Sequence, residues 1–225
     1  MGYVLENTAM DVPWQQSQVV REDFRRLQEM LGPPLQLDAA QFGSRAHRLR
    51  CYWTNLAPQQ QMEQALGMAV RPVGRLVQDI LGPGRRCRQV QRTDSLPFYV
   101  CNVAGQPMQA LPTLMATVGS YAFVGKGQGV IWDGNMQRWT EPTVEEREVA
   151  LGYAMGSTAA PGVTQKLRHQ VLGRCMDSNV TMALVAVAGV LAGKQLEPAA
   201  VQVGVAAGAG FSGEEGCWES GVSWQ

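Results

Sequence analysis

Three short stretches of this chain hold side chains that could do chemistry. "LENT", Leu5 to Thr8, sets the carboxylate of Glu6 and the amide of Asn7 at the end of an apolar strand. In an open α/β sheet ligands gather at that end, so polar ligand binding is the chemistry on offer. A strand-end cap would use the same two residues. "SRAHRLRCYWTN", Ser44 to Asn55, alternates Arg48, Arg50 and Tyr52 with Leu49, Cys51 and Trp53. Period-two alternation puts both arginines on one strand face, either lining a site or on the surface of an edge strand. "LGRCMDSN", Leu172 to Asn179, reads as a glycine-containing junction between two helices or as a simple kink.

The elements that must position these residues follow from pattern. "GYVLEN" reads as a short buried strand. "SQVVREDFRRLQEMLG" reads as a helix, with Val20, Phe24, Leu27 and Leu31 on one face and Arg21, Glu22, Arg25 and Arg26 on the other. Gly32 and Pro33-Pro34 end it. "LQLD" and "HRLRCYW" read as the next strands, and "RPVGRLVQDILGPG" as a short helix with Pro72 in its first turn. Residues 85–140 are rich in Gly, Pro, Thr and aromatics, which predicts short strands such as "FYVCNV", "GSYAFV" and "GVIW" in long loops. From Thr143 helices return: "TVEEREVALGY", with Thr143 and Glu146 in capping-box spacing, then about Thr164 to Cys175, then the apolar Ser178 to Leu191. Residues 194–225 are Ala-, Gly-, Val- and Ser-rich and read as a tail.

Charge narrows the partners. The chain has 225 residues and a formal net charge of zero, which argues against a wholesale nucleic-acid coat. Yet Arg21 to Arg92 holds 12 of the 19 basic residues against six acidic ones, a footprint suited to a polyanion or to plain solvation. The five cysteines are scattered without a CxxC or Cys/His cluster, so neither zinc nor a disulfide framework is indicated and a reducing compartment is expected. The N-terminal "MGYVLENTAM" lacks the pattern of a signal peptide. "VTMALVAVAGVLAG" falls short of the roughly 20 residues a membrane span needs, so a buried helix and no membrane are expected.

Taken in order, the three stretches resemble the later motifs of DNA cytosine-5 methyltransferases, nearest to the eukaryotic de novo type. That family follows its Glu-Asn motif with a Ser-x-Ala-His-Arg-x-Arg strand ending in Trp-x-Asn. Ser44, Ala46, His47, Arg48, Arg50, Trp53 and Asn55 match it. "TVEEREVALGYAMG" looks like the family's ninth-motif helix and "RHQVLGRCMDSNV" like its tenth. The resemblance spans roughly residues 3–192, loosely over 56–140. It implies an α/β fold: an incomplete Rossmann-like S-adenosylmethionine-dependent methyltransferase core with an inserted irregular target-recognition segment. The implied divisions are a partial core (1–84), that segment (85–140), helices closing the core (141–193) and the tail (194–225).

The resemblance also implies roles. In the family a cysteine thiolate adds to the ring of a flipped-out cytosine, and the activated carbon then takes the methyl of S-adenosylmethionine; flipping costs a few kcal/mol. Glu6 would support protonation of the ring nitrogen and Asn7 would shape the loop. Arg50, with Arg48 beside it, would hold the exocyclic oxygen where charge builds. Leu49, Cys51 and Trp53 would anchor the strand in the core. Arg85, Arg86, Arg88 and Arg92 could contact DNA phosphates, which position without reading sequence. Gly173, Arg174, Cys175 and Met176 would belong to a segment closing over the cofactor.

The departures matter as much. The family's nucleophile follows a proline upstream of the Glu-Asn strand, and this sequence has no Pro-Cys dipeptide and no glycine-rich cofactor loop. Met176 stands where the nearest relatives have tryptophan, and Val149 where an arginine is usual. The expectation is a chain that does not methylate DNA alone, since a general acid without the nucleophile supplies only about 10²- to 10⁴-fold. Loss of upstream strands should also bare a strand edge and an apolar helix face. Either the chain is a piece of a longer product, or another polypeptide supplies the missing half. The alternatives are a catalytically dead regulatory or DNA-binding homologue that partners an active methyltransferase, and a decayed mobile-element remnant. Localisation would be nuclear in a eukaryote and cytoplasmic otherwise.

Overall fold

The computed structural model describes residues 2–8, 17–70, 76–93 and 101–193. Two antiparallel sheets of three strands organise it. The first takes β1 (Val4–Thr8), β3 (Leu49–Thr54) and β2 (Leu35–Asp38), in the order β1-β3-β2. The second takes β4 (Arg85–Cys87), β5 (Ile131–Asp133) and β6 (Arg138–Thr140), in the order β4-β5-β6. Register pairs Glu6 with Tyr52 and Leu37 with Arg50 across the first sheet.

Helices cover both faces of the first sheet. α1 (Gln18–Leu31) starts on the Ser17 side chain and stops at Gly32, whose φ of 81° suits glycine. Its expected apolar face is only half-buried, and Phe24 meets Trp53 edge-on with ring centroids 6.0 Å apart. On the other side lie α2 (Gln59–Ala69) and α5 (Ser178–Leu191), the second capped by Asp177. Leu35, Leu37, Tyr52, Met62, Leu66, Val180 and Leu184 form one buried core there. Strand β3 is therefore buried on both faces: Tyr52 beside the arginines is as fully covered as Cys51 opposite. The expectation that only the Leu49-Cys51-Trp53 face anchors the strand is corrected, because α2 supplies a second packing layer that the sequence reading did not include. Its signal was the i, i+4 pair Met62 and Leu66.

A second core lies between the second sheet and α3 (Val144–Ala150), built on Met108, Leu111, Leu114, Phe123, Ile131 and Leu151. Thr143 and Glu146 form the expected capping box at the start of α3. α4 (Gln165–Arg174) begins on Thr164. Its Gly173 abuts the backbone of Met115 and Ala116 so closely that an added Cβ would sit 2.1 Å from the Ala116 nitrogen. Two expected elements differ. "GSYAFV" is a 3-10 turn (Tyr121–Phe123), not a strand, and only a 3-10 turn (Val77–Ile80) is described in the helix expected at 71–84. Residues 71–75, the first half of "FYVCNV" and the tail lie outside the described residues, and the second half, Cys101 to Val103, is not a strand.

By length and composition alone, Gln165–Leu191 is apolar enough to cross a membrane. It is two helices, α4 and α5, broken at Cys175–Asp177, and the buried carboxylate of Asp177 sits at the break. β1 pairs only with β3 among the described residues, leaving its outer edge open. Leu5 on that strand and Met182, Val185 and Val190 on α5 are exposed.

Candidate functional site

Glu6 and the two arginines do meet. The Glu6 carboxylate lies 3.3 Å from Nε of Arg50 and 3.6 Å from Nε of Arg48. Adjacent antiparallel strands bring them together, since side chains two apart on β3 share the face to which Glu6 points. All three side chains are largely covered, at 12% exposure for Glu6, 14% for Arg50 and 3% for Arg48. What distinguishes the cluster is unused capacity. Glu6 Oε1, Arg48 Nε and the Tyr52 hydroxyl are buried without a hydrogen-bond partner. Such orphaned polar atoms are rare in folded proteins and mark places where a further group is expected. Burial, then the neighbouring Arg48 charge, pull the Arg50 guanidinium below its ordinary value; burial, then Glu6, push the Tyr52 phenol up.

Arg48 also draws in the helix junction. Its guanidinium donates to the carbonyl oxygens of Cys175 and, at 3.4 Å, of Gly173. The Tyr153 hydroxyl donates to the Met176 carbonyl at 2.6 Å. Next to them Asp177 accepts from Ser44 Oγ at 2.7 Å and from the amides of Asn179 and Val180 at 2.9 and 3.2 Å. Asn179 Nδ2 donates back to Ser44 Oγ at 2.7 Å. Burial pushes the Asp177 carboxyl up to about 7 despite these bonds. The sequence reading matched Ser44 to a motif but did not link it to Asp177; the cue was an Asp-Ser-Asn helix start.

A second missed cluster is Asp38, His47 and Cys101. Asp38 accepts from the Arg48 backbone amide at 2.8 Å and lies 2.8 Å from His47 Nδ1, while Cys101 Sγ is 3.3 Å from Nε2. It fixes the entry to β3, so His47 and Asp38 act on the site by positioning the arginines.

The remaining expected site residues divide. Asn7 Oδ1 accepts from the next amide, Thr8, at 2.8 Å, which shapes the end of β1. Arg85 is corrected: it is not free for a phosphate. It donates to Glu146 at 2.6 Å, to Asp133 at 2.5 Å, and to the Thr140 hydroxyl and Glu141 carbonyl. Arg86 and Arg92 are exposed, and Arg88 lies 4.3 Å over the ring of Trp139.

Arg174 is exposed, and Cys175 donates its thiol to the Leu172 carbonyl at 3.3 Å. Burial pushes that thiol up, away from nucleophilic use. The junction carbonyls of Gly173, Cys175 and Met176 are all spent inside the protein. The junction residues Gly173 to Met176 therefore present no orphaned buried side-chain polar atom that would call for S-adenosylmethionine.

Comparison with solved structures shows the fold. The chain superposes on the S. pombe Dnmt2 methyltransferase with a TM-score of 0.52 at 14% identity, covering 84% of this chain and 67% of that one. It aligns with the Entamoeba histolytica methyltransferase EhMeth at a TM-score of 0.45 and 14% identity, covering 84% of this chain and 62% of that one. No protein-family profile and no curated protein matches the sequence. The fold is thus a mixed α/β one of the Rossmann-like methyltransferase kind, and this chain spans about two thirds of the S. pombe protein's length.

Proposed function

We propose that this chain is the base-recognition half of a DNA cytosine-5 methyltransferase core, holding a flipped cytosine without forming a bond to it. One observation carries the reading: Glu6 stands at ion-pair distance from Arg48 and Arg50 while its Oε1 and Arg48 Nε keep unfilled hydrogen-bonding capacity. A carboxylate and guanidinium groups on one face of two paired strands complement the edge of cytosine. Glu6 would face the ring nitrogen and amino group, and an arginine would donate to the carbonyl oxygen, where a preorganised donor contributes most. The covered position raises the strength of these contacts, since less water competes. The nucleophile and the S-adenosylmethionine site come from outside these 225 residues, because no Pro-Cys pair is present and the half-buried Cys175 has its thiol pushed up by desolvation. A partner polypeptide seated on the open edge of β1 and the exposed apolar side chains of α5 would supply them.

The test uses duplex DNA carrying a fluorescent cytosine analogue. Emission should rise when the full chain binds and flips the analogue, and Glu6→Ala should abolish the rise; no rise with the unaltered chain refutes the proposal. With tritiated S-adenosylmethionine the chain alone should transfer no label, and incorporation into cytosine would refute the missing-nucleophile claim.

A further inference from the structure

The second sheet has one face turned to α3 and one left open. Arg85 and Asp133 occupy the covered face, with Glu146 of α3 beneath. Register places Arg86, Trp132 and Trp139 side by side on the other. The two tryptophans meet edge-on with centroids 5.5 Å apart, and Arg88 lies over Trp139. Trp139 nevertheless remains 41% exposed. Both are large apolar side chains on short strands, where burial is the usual outcome. A groove of about 720 Å³ runs along this face, within the size range of small-ligand sites.

The groove's chemistry is selective. Arginines, glutamines (Gln89 and Gln91) and tryptophans line it together with Cys87 and Val90, and among the described residues no carboxylate does. Arg88 Nε is buried there with no hydrogen-bond partner. Cations beside a π-face fit a ligand that is both anionic and flat, which describes a nucleotide. A duplex offers phosphates but hides the faces of its bases, so it could use the arginines and not the tryptophan. Only an unpaired nucleotide uses both.

We infer that the open face of the second sheet, at Trp139, Trp132, Arg86 and Arg88, binds an unpaired nucleotide of a single strand, the base stacking on Trp139 and the phosphate meeting the arginines. The inference shares the nucleic-acid reading above but stands on a different sheet from Glu6. The experiment measures anisotropy of labelled oligothymidylate, oligouridylate and a duplex of equal length with the full chain. Both single strands should bind more tightly than the duplex. Trp139→Ala should weaken them by about 5- to 150-fold and Trp139→Phe much less. Arg86→Gln should weaken all three and lower the salt slope by about one. Circular dichroism melting checks that each variant folds. Equal binding of duplex and strands, or no effect of Trp139→Ala in a folded variant, overturns the inference and leaves the flipped-base proposal intact. Tight Trp139-dependent strand binding without any analogue signal does the reverse.

Discussion

Arg85 in the second sheet and the Arg48-Arg50 pair in the first both face a glutamate across packed elements, and the two sites use their charge in different ways. Every direction of the Arg85 fork is taken, by Glu146, Asp133, Thr140 and the Glu141 carbonyl. Glu146 in turn caps α3 by accepting from the Thr143 amide at 2.8 Å. The carboxylate of Glu6 has two guanidinium groups within 3.6 Å and an oxygen without a hydrogen bond. A saturated buried pair ties elements together, whereas an unsaturated one retains the capacity to recognise something else. Arginine count in a sequence cannot separate the two. Completeness of the hydrogen-bond set can.

Three changes would break or sharpen that contrast. The largest effect is expected from Arg85→Ala, which leaves Glu146 buried and uncompensated; breaking a buried pair this way costs about 3–5 kcal/mol. Urea unfolding reads it, and a loss below about 1 kcal/mol would place Arg85 with the unsaturated set. Asp177→Asn comes next. The native carboxyl titrates near 7, well above an unfolded aspartate at about 3.9. Folded protein therefore holds the proton more tightly, so this group's contribution to stability is full below about pH 4 and declines as pH rises through about 7. The asparagine variant keeps a good helix cap and should lose that decline, gaining on the native chain by on the order of a few kcal/mol at pH 8 while matching it near pH 4. Thermal melts across that range check it, and a constant difference between the two proteins would show that Asp177 is ionised throughout. The smallest stability effect is expected from Glu6→Gln, about 1–3 kcal/mol: two covered guanidinium groups lose their carboxylate, but the amide oxygen still faces them and Arg48 keeps the Gly173 and Cys175 carbonyls. A loss like that of Arg85→Ala would make Glu6 structural and remove the ground for a base pocket.

Much of the first sheet was legible from residue pattern. The alternation in "HRLRCYW" placed Arg48 and Arg50 on one side, and both do reach Glu6. Ser17, Gly32, Thr143 and Asp177 stop or start helices by local hydrogen bonds that neighbouring residues specify. α2 was missed because its pattern is thin, with Met62 and Leu66 its only buried residues. "GSYAFV" misled because a short apolar run fits a strand or a turn equally well.

By itself the sequence determined which side chains share a strand face, where α1, α4 and α5 begin and end, and that no Pro-Cys nucleophile is present, because these depend on spacing along the chain. The tertiary structure alone decided that Arg85 is consumed internally, that Arg48 gathers the Gly173–Cys175 junction, and that Trp132 and Trp139 stand together beside Arg88. Those facts depend on donors and acceptors from distant segments meeting at hydrogen-bond range, and no local period encodes which distant partner a guanidinium will find.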